Sequence, residues 1–415
     1  MQTSAGCNQF THDYTTSVKA RSLTWQRQIE EVSDVKIVKL NAEPMDGFDY
    51  LNAVPGGEVV AARLPIYHAI VSGLPEHLDA LLVASDLQGI VPVKVCSGNE
   101  RQVTGRGLSD NGGSPCVHNM EQDDVYTNEN TNKYANEQIG GNSGIKGGTG
   151  SCVSGRDPNA ANLYALNMGE DGARDQTVDR LLGELLPEHA KLLLEVYWPQ
   201  LDPRRTGVLL CGDLYARRGK RGASGNPLPV WLAFREAFGW VAGVDGNHDL
   251  TDEASAHRLH RAEGIHYLDA PGVVSAGPVP DGPAPSHAGP VPGRPAPRAA
   301  GQQRPLRLAG LGGIIGRPDK PNRLPEKQYL QSLAKLLKQQ PDCLLLHQSP
   351  GIPELGCMGE PLIRQALEAG PETVVFCGHT HWEQPLVQLD NGTQILNADG
   401  RLFILTREEA DNAGR

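Results

Sequence analysis

Residues 78–89 read LDALLVASDLQG, an apolar run over Leu78 to Ser85 stopped by Asp86, Gln88 and Gly89. A short apolar run that ends in polar residues and glycine marks a buried strand feeding a loop. The same form recurs along the chain: 207–213 read GVLLCGD, 240–249 WVAGVDGNHD, 343–348 CLLLHQ and 373–381 TVVFCGHTH. Further strands are predicted over Val35 to Leu40, Val59 to Ala62 and Leu306 to Gly313. The stretch Leu386 to Leu405 reads as antiparallel strands around an Asp390-Asn391-Gly392 turn.

Helical spacing separates these runs. Val178, Leu181, Leu182, Leu185 and Leu186 form a stripe in a helix predicted near Thr177 to Tyr197. Trp231, Phe234 and Phe238 suggest a short helix, and Leu330, Leu333, Leu336 and Leu337 a second one over Glu326 to Gln339. Leu64 to Ser72 also has helix-like spacing, and Lys19 to Glu31 has it weakly. Strand, polar loop and helix in repetition give an α/β domain whose ligand-binding loops leave the carboxyl ends of strands.

Two stretches fall outside that pattern. From about 97 to 162 the chain is rich in Gly, Asn, Ser and acidic residues without periodicity, which predicts a flexible insertion. Within it, IGGNSGIKGGTGS (139–151) lacks the glycine and lysine spacing of a phosphate loop. The Pro/Gly/Ala tract at about 271–305 predicts a semi-extended loop. With 48 Gly and 31 Pro in 415 residues and only 5% aromatics, the packed part is smaller than the length suggests.

The formal charge is −11. A negative chain is repelled by nucleic-acid backbone and anionic membrane, so stable nucleic-acid binding is not expected, whereas a small phosphorylated substrate drawn in by metal ions is compatible. The eight cysteines include no C-x-x-C pair, and Cys211, Cys343 and Cys377 lie in or beside apolar runs. That usage fits a reducing cytoplasm. No apolar stretch is long enough to span a bilayer.

Each strand-like run delivers polar residues suited to metal chemistry: Asp86 and Gln88, Asp213, Asn247 with His248, His347, and His379 with His381. Strands of one parallel sheet send these loops to one edge. Carboxylate, amide oxygen and imidazole without thiolate suit Mn, Fe, Zn or Ni in an open catalytic site. Each cluster has a plainer role as well. An Asp after a strand also caps helices, Gly-Asn-His-Asp also makes turns, and a lone histidine is more often simply packed. The joint order carries the reading.

That order resembles the calcineurin-like metallophosphoesterase superfamily, whose motifs run D-x-H, G-D, G-N-H-[DE], H and G-H-x-H. The resemblance spans Asp86 to His381. It implies a four-layer α/β/β/α sandwich over residues 76–410, interrupted by the two insertions, with residues 1–75 an N-terminal extension of unknown role. It also implies two divalent ions, Mn foremost. Asp86 and His381 would hold the first, Asp213 would bridge, and Asn247, His347 and His379 would complete the second. His248 would lie near the leaving group, and Asp213 and His248 would be the catalytic pair. Gln88 departs from the pattern at the usual histidine, as a weaker oxygen ligand, and Ala216 departs at a position often acidic.

Arg217, Arg218, Lys220 and Arg221 form a basic run, either a solvated loop or a holder of an anionic substrate part, and Asp245 and Asp249 are candidates for hydrogen bonds to the ligand loop. The activity implied is hydrolysis of a phosphomonoester, phosphodiester or pyrophosphate through a two-metal-activated water. Two alternatives stand beside it: a degenerate binding or scaffold module, suggested by Gln88 and the insertions, and a nuclease, disfavoured by the acidic balance.

Overall fold

Every run predicted as a strand is one in the computed structural model, which describes residues 35–95, 176–270, 272–277 and 305–408. The strands β1 (Lys36–Leu40), β2 (Asp46–Ala53), β3 (Val59–Ser72), β4 (Ala80–Ser85) and β5 (Ile90–Val95) precede β6 (Gln176–Leu181), which runs into α1 (Leu182–Tyr197). Next come β7 (Thr206–Leu210), α2 (Leu228–Ala237), β8 (Trp240–Gly243), α3 (Glu253–Arg261), β9 (Ile265–Tyr267) and β10 (Val273–Ala276). After these lie β11 (Leu306–Leu311), β12 (Ile314–Ile315), β13 (Arg323–Leu324), α4 (Glu326–Leu337), β14 (Cys343–Gln348) and α5 (Pro361–Glu368). The last strands are β15 (Val374–Gly378), β16 (Leu386–Gln388), β17 (Gln394–Asn397) and β18 (Arg401–Arg407).

These strands make two large sheets and a small parallel pair, β12 with β13. The larger runs β6-β5-β2-β3-β18-β4-β7-β8-β9, with β1 alongside β3, and the smaller runs β10-β11-β14-β15-β17-β16. β4, β7 and β8 are parallel neighbours in the first, and β14 and β15 in the second. Their carboxyl ends therefore bring the predicted site loops together.

Side-chain alternation decides the layers. Leu81 and Val83 of β4 face the smaller sheet and pack with Leu345, Phe376, Leu396 and Phe403. Leu82 and Ala84 of the same strand face the other way, onto Leu186, Leu194, Trp231 and Phe234 of α1 and α2. On the smaller sheet, Leu344, Leu346 and Val375 meet Tyr329, Leu333 and Leu336 of α4 and Ile363 of α5. The result is helices, sheet, sheet, helices: a four-layer α/β/β/α sandwich. Complete burial of Leu82 stabilises the fold by about 1.5–3 kcal/mol relative to an exposed leucine.

Three expectations need correction. Leu64 to Ser72 is not a helix but the second half of β3, paired antiparallel to β2 and parallel to β18. A strand buried on both faces carries a nearly unbroken apolar run, which periodicity alone cannot tell from a helix. The helix expected from Thr177 begins only at Leu182, because Gln176 to Leu181 joins the large sheet beside β5, and Glu184 accepts from the Leu181 amide at 2.9 Å to start the helix there. Residues 36–72, expected in a separate extension, supply three strands to the large sheet and put Leu64 and Ile66 in its core.

The described residues of 35–94 and of 177–408 form one compact unit, and Val95 and Gln176, at the ends of β5 and β6, are the described residues of a second. The insertion expected at 97–162, its glycine-rich run and the segment Lys19 to Glu31 lie outside the described residues. Of the Pro/Gly tract, residues 272–277 and 305 are described and include β10. Among the described residues no helix is long and apolar enough to cross a membrane.

Candidate metal centre

Five loops meet at the carboxyl ends of β4, β7, β8, β14 and β15. Asp86, Asp213 and His379 sit on them with φ of 54°, 54° and 70°, a left-handed backbone that costs a non-glycine residue energy and clusters at functional sites. The loops hold one another through backbone bonds: the Asp86 amide donates to the Gly212 carbonyl at 2.9 Å, and the Asp86 carboxylate accepts from the His379 amide at 2.8 Å and the Ser85 hydroxyl at 2.7 Å. Gly246 is required where it stands, because a Cβ there would run into the Asp213 carboxylate and backbone.

His347 is fully buried. Its Nδ1 lies 2.8 Å from the Cys211 carbonyl oxygen, which only accepts, so Nδ1 carries the proton and Nε2 presents a lone pair. That lone pair faces Asn247 Oδ1 at 3.1 Å and Asp213 Oδ2 at 3.6 Å. Acceptors converging in a buried place repel unless a cation or proton lies among them. Asp213, His347 and His379 put one ligand atom each within 4.8 Å of one another, the one such group of three His, Cys, Asp or Glu side chains among the described residues. His379 has its pKa lowered to about 4, by burial first and then by the neighbouring His347, so its imidazole is neutral and able to ligate near neutral pH. The donor set of carboxylate, amide oxygen and two imidazoles fits a divalent cation.

The other expected ligands are placed differently. Asp86 is half-buried, and its carboxyl pKa is pushed well up by desolvation and by the carboxylates of Asp399 and Asp213. Gln88 donates its amide to Asp213 Oδ2 at 3.2 Å. His381 is not in the group of three: Nδ1 lies 3.1 Å from Asp399 Oδ2 and Nε2 3.0 Å from Arg401 Nη2. His248 donates its backbone amide to Asp213 Oδ1 at 2.8 Å and places its ring 3.2 Å from the Ser224 hydroxyl.

Asp245 and Asp249 order the ligand loop. Asp249 is fully buried and accepts from the Gly246 and Leu214 amides at 2.9 Å each. Asp245 accepts from Thr251 at 3.0 Å and Tyr267 at 2.6 Å. Burial raises both carboxyl pKa values. Sequence reasoning missed Asn322, Asn397, Asp399 and Arg401. Asn322 donates to the Gly246 and Asp249 carbonyls, and Asn397 donates to Ser349 and to the Thr380 carbonyl. The available signal was NADGR (397–401), polar residues with glycine closing the β17 strand as in the other site loops.

A cleft of about 470 Å³ opens over the centre, lined by Asp86, Gln88, Asp213, His248 and His379. Arg217, Lys220 and Arg221 are exposed on its wall. Arg218 instead forks onto Asp179 at 2.6 and 2.7 Å.

Residues 178–383 match the family model of the calcineurin-like phosphoesterases. The chain carries a calcineurin-like phosphoesterase domain. The matched span holds Asp213, Asn247, His248, His347, His379 and His381, while Asp86 and Gln88 precede it. Among solved structures it is similar to TT1561 of Thermus thermophilus, at 17% identity over 52% of this chain and 85% of that one, with a TM-score of 0.35. It is also similar to the sulfate thiohydrolase SoxB of Thermus thermophilus in complex with glycerol, at 16% identity over 52% of this chain and 37% of that one, with a TM-score of 0.27. No curated protein matches the chain.

Proposed function

We propose that this chain is a metal-dependent phosphoesterase that hydrolyses a phosphomonoester, phosphodiester or pyrophosphate bond of a small phosphorylated substrate. The observation that carries the reading is the convergence of Asp213, Asn247, His347 and His379 beneath a cleft that Asp213 and His379 line and that has basic residues on its wall. These four residues would hold a divalent cation, Mn foremost, with Fe, Zn or Ni also suited to the donors. A cation there supplies Lewis acidity, polarising the phosphoryl group and lowering the pKa of water. In the dinuclear form that the resemblance implies, Asp213 would be shared with a second ion on Asp86, Gln88 and His381.

The chain's own groups divide the remaining work. His248, on the cleft wall beside the Asp213 loop, is suited to protonate the leaving group or to steady charge on the phosphoryl oxygens. Arg217, Lys220 and Arg221 are suited to attract and orient an anionic substrate against the chain's overall negative charge. The four described cysteines are buried free thiols, in keeping with a reducing cytoplasm.

The test is hydrolysis of p-nitrophenyl phosphate and its bis-ester by the metal-stripped chain, before and after adding Mn. Turnover that appears with Mn and disappears with chelator supports the reading. Metal uptake without turnover of either ester favours a binding module instead, a reading motivated by Gln88 and by the engagement of His381 with Asp399 and Arg401.

A further inference from the structure

We propose that this phosphoesterase holds a single divalent cation, on Asp213, Asn247, His347 and His379, and that Arg401 keeps His381 from serving a second. The inference rests on the metal-dependent reading of the same site and specifies its metal count.

His381 is the first reason. A neutral imidazole has one proton and one available lone pair. Asp399 as a carboxylate only accepts, so the His381 Nδ1 proton goes to it at 3.1 Å. The Arg401 guanidinium only donates, so the Nε2 lone pair is taken at 3.0 Å. Neither nitrogen is left for a metal.

Arg401 is itself fixed. It opens β18, its backbone pairs in register with Ser85 next to Asp86, and it is 4% exposed. A second bond from the same Nη2 goes to the Trp382 carbonyl oxygen, next in sequence to His381. The guanidinium is thereby held against His381 on the side of the centre where the resemblance places another ion, with the carboxylate of Asp399 on the other ring nitrogen.

Gln88 is the second reason. It stands where the family motif has a histidine, and its NH₂ end faces Asp213 Oδ2 at 3.2 Å. An amide donor supplies the carboxylate with the hydrogen bond that a bridging ion would replace. The third reason is placement, since neither Asp86 nor His381 belongs to the one group of three ligands within 4.8 Å among the described residues.

The experiment is manganese content of the full chain after saturation with Mn and desalting, read together with its electron paramagnetic resonance spectrum. The expected result is about one Mn per chain and the resolved hyperfine pattern of an isolated ion. About two Mn per chain, or an exchange-coupled spectrum, overturns the inference and leaves the phosphoesterase reading standing. A chain that takes up no metal overturns both. In the double variant Gln88→His with Arg401→Gln, which frees His381 and restores an imidazole, uptake should rise to about two. Where that variant fails to fold, Gln88→His alone decides: it should stay at about one, and uptake of another ion with Arg401 still in place overturns the role given to Arg401.

Discussion

The imidazole of His347 bonds through Nδ1 to the carbonyl oxygen of Cys211 at 2.8 Å, joining a strand of the smaller sheet to the residue that precedes Gly212 and Asp213 in the larger. One hydrogen bond thus ties the two sheets, fixes the tautomer and aims Nε2 at Asn247 and Asp213. Substituting His347→Ala should lower Mn affinity by at least about 100-fold, beyond the 10–100-fold typical of losing a group that only orients a ligand. Calorimetric titration of Mn into both proteins measures it. Equal affinities would remove His347 from the ligand set.

Asn322 acts one step further out. Its side-chain amide donates to the Gly246 and Asp249 carbonyls at 2.8 and 2.5 Å, and its own backbone has a φ of 51°. Asn322→Gly keeps that backbone accessible but removes both bonds, each worth about 1 kcal/mol. The expected outcome is about a 10-fold loss of Mn affinity with a modest fall in melting temperature, and a larger fall for Asn322→Ala, which also meets the positive φ. Identical melting temperatures for the two variants would contradict the backbone part of this explanation.

Much of the centre was legible because its ligands follow apolar strands directly: Asp213 after Val208 to Cys211, His379 after Val374 to Cys377. Asn322 was not, because it acts through the loop it meets in space and nothing in a local window announces that meeting, while Asp399 and Arg401 had only the polar NADGR run after β17 to mark them. β3 was misread for a related reason. Its pairing with β2 and β18 buries Leu64, Ile66, Ala69 and Val71, and the resulting apolar run has no clean period of two.

The pKa of His379, lowered from 6.5 to about 4 chiefly by burial, predicts a pH dependence in the metal-free chain. Between these values the unfolded state binds the proton that the native state refuses, so stability is present above about 6.5 and is lost as pH falls toward 4. At about 1.4 kcal/mol per unit, and discounted for partial solvent access, the effect is on the order of 2–3 kcal/mol. The raised pKa of Asp86 acts in the opposite sense, its protonated form being favoured by folding, so stability from that group declines as pH rises past 3.8. Comparing melting curves of the chain with those of His379→Gln isolates the histidine. The difference between the two should shrink as pH falls from 6.5 to 4, and a difference constant with pH would contradict the assignment.

Arg217, Lys220 and Arg221 line the cleft wall away from the buried ligands. Replacing Arg217 and Arg221 together with alanine should raise KM severalfold for a substrate bearing another phosphate beyond the scissile one. Screened, exposed charges of this kind each contribute at most about 1 kcal/mol, so kcat and the response to p-nitrophenyl phosphate should change little. Steady-state kinetics on the two substrates checks this. An equal rise in KM for both would assign the loop to the scissile phosphoryl group instead.

The most direct test of the metal-centred reading is hydrolysis of p-nitrophenyl phosphate and its bis-ester by the chain and by Asp213→Asn, both stripped of metal and reloaded with Mn. Asp213 is the acid within the group formed with His347 and His379. The expected result is Mn-dependent turnover by the unaltered chain and a fall of at least about 100-fold in the variant, the loss of roughly 3 kcal/mol of transition-state stabilisation. Turnover that survives in Asp213→Asn, or that persists in the unaltered chain without metal, would contradict it.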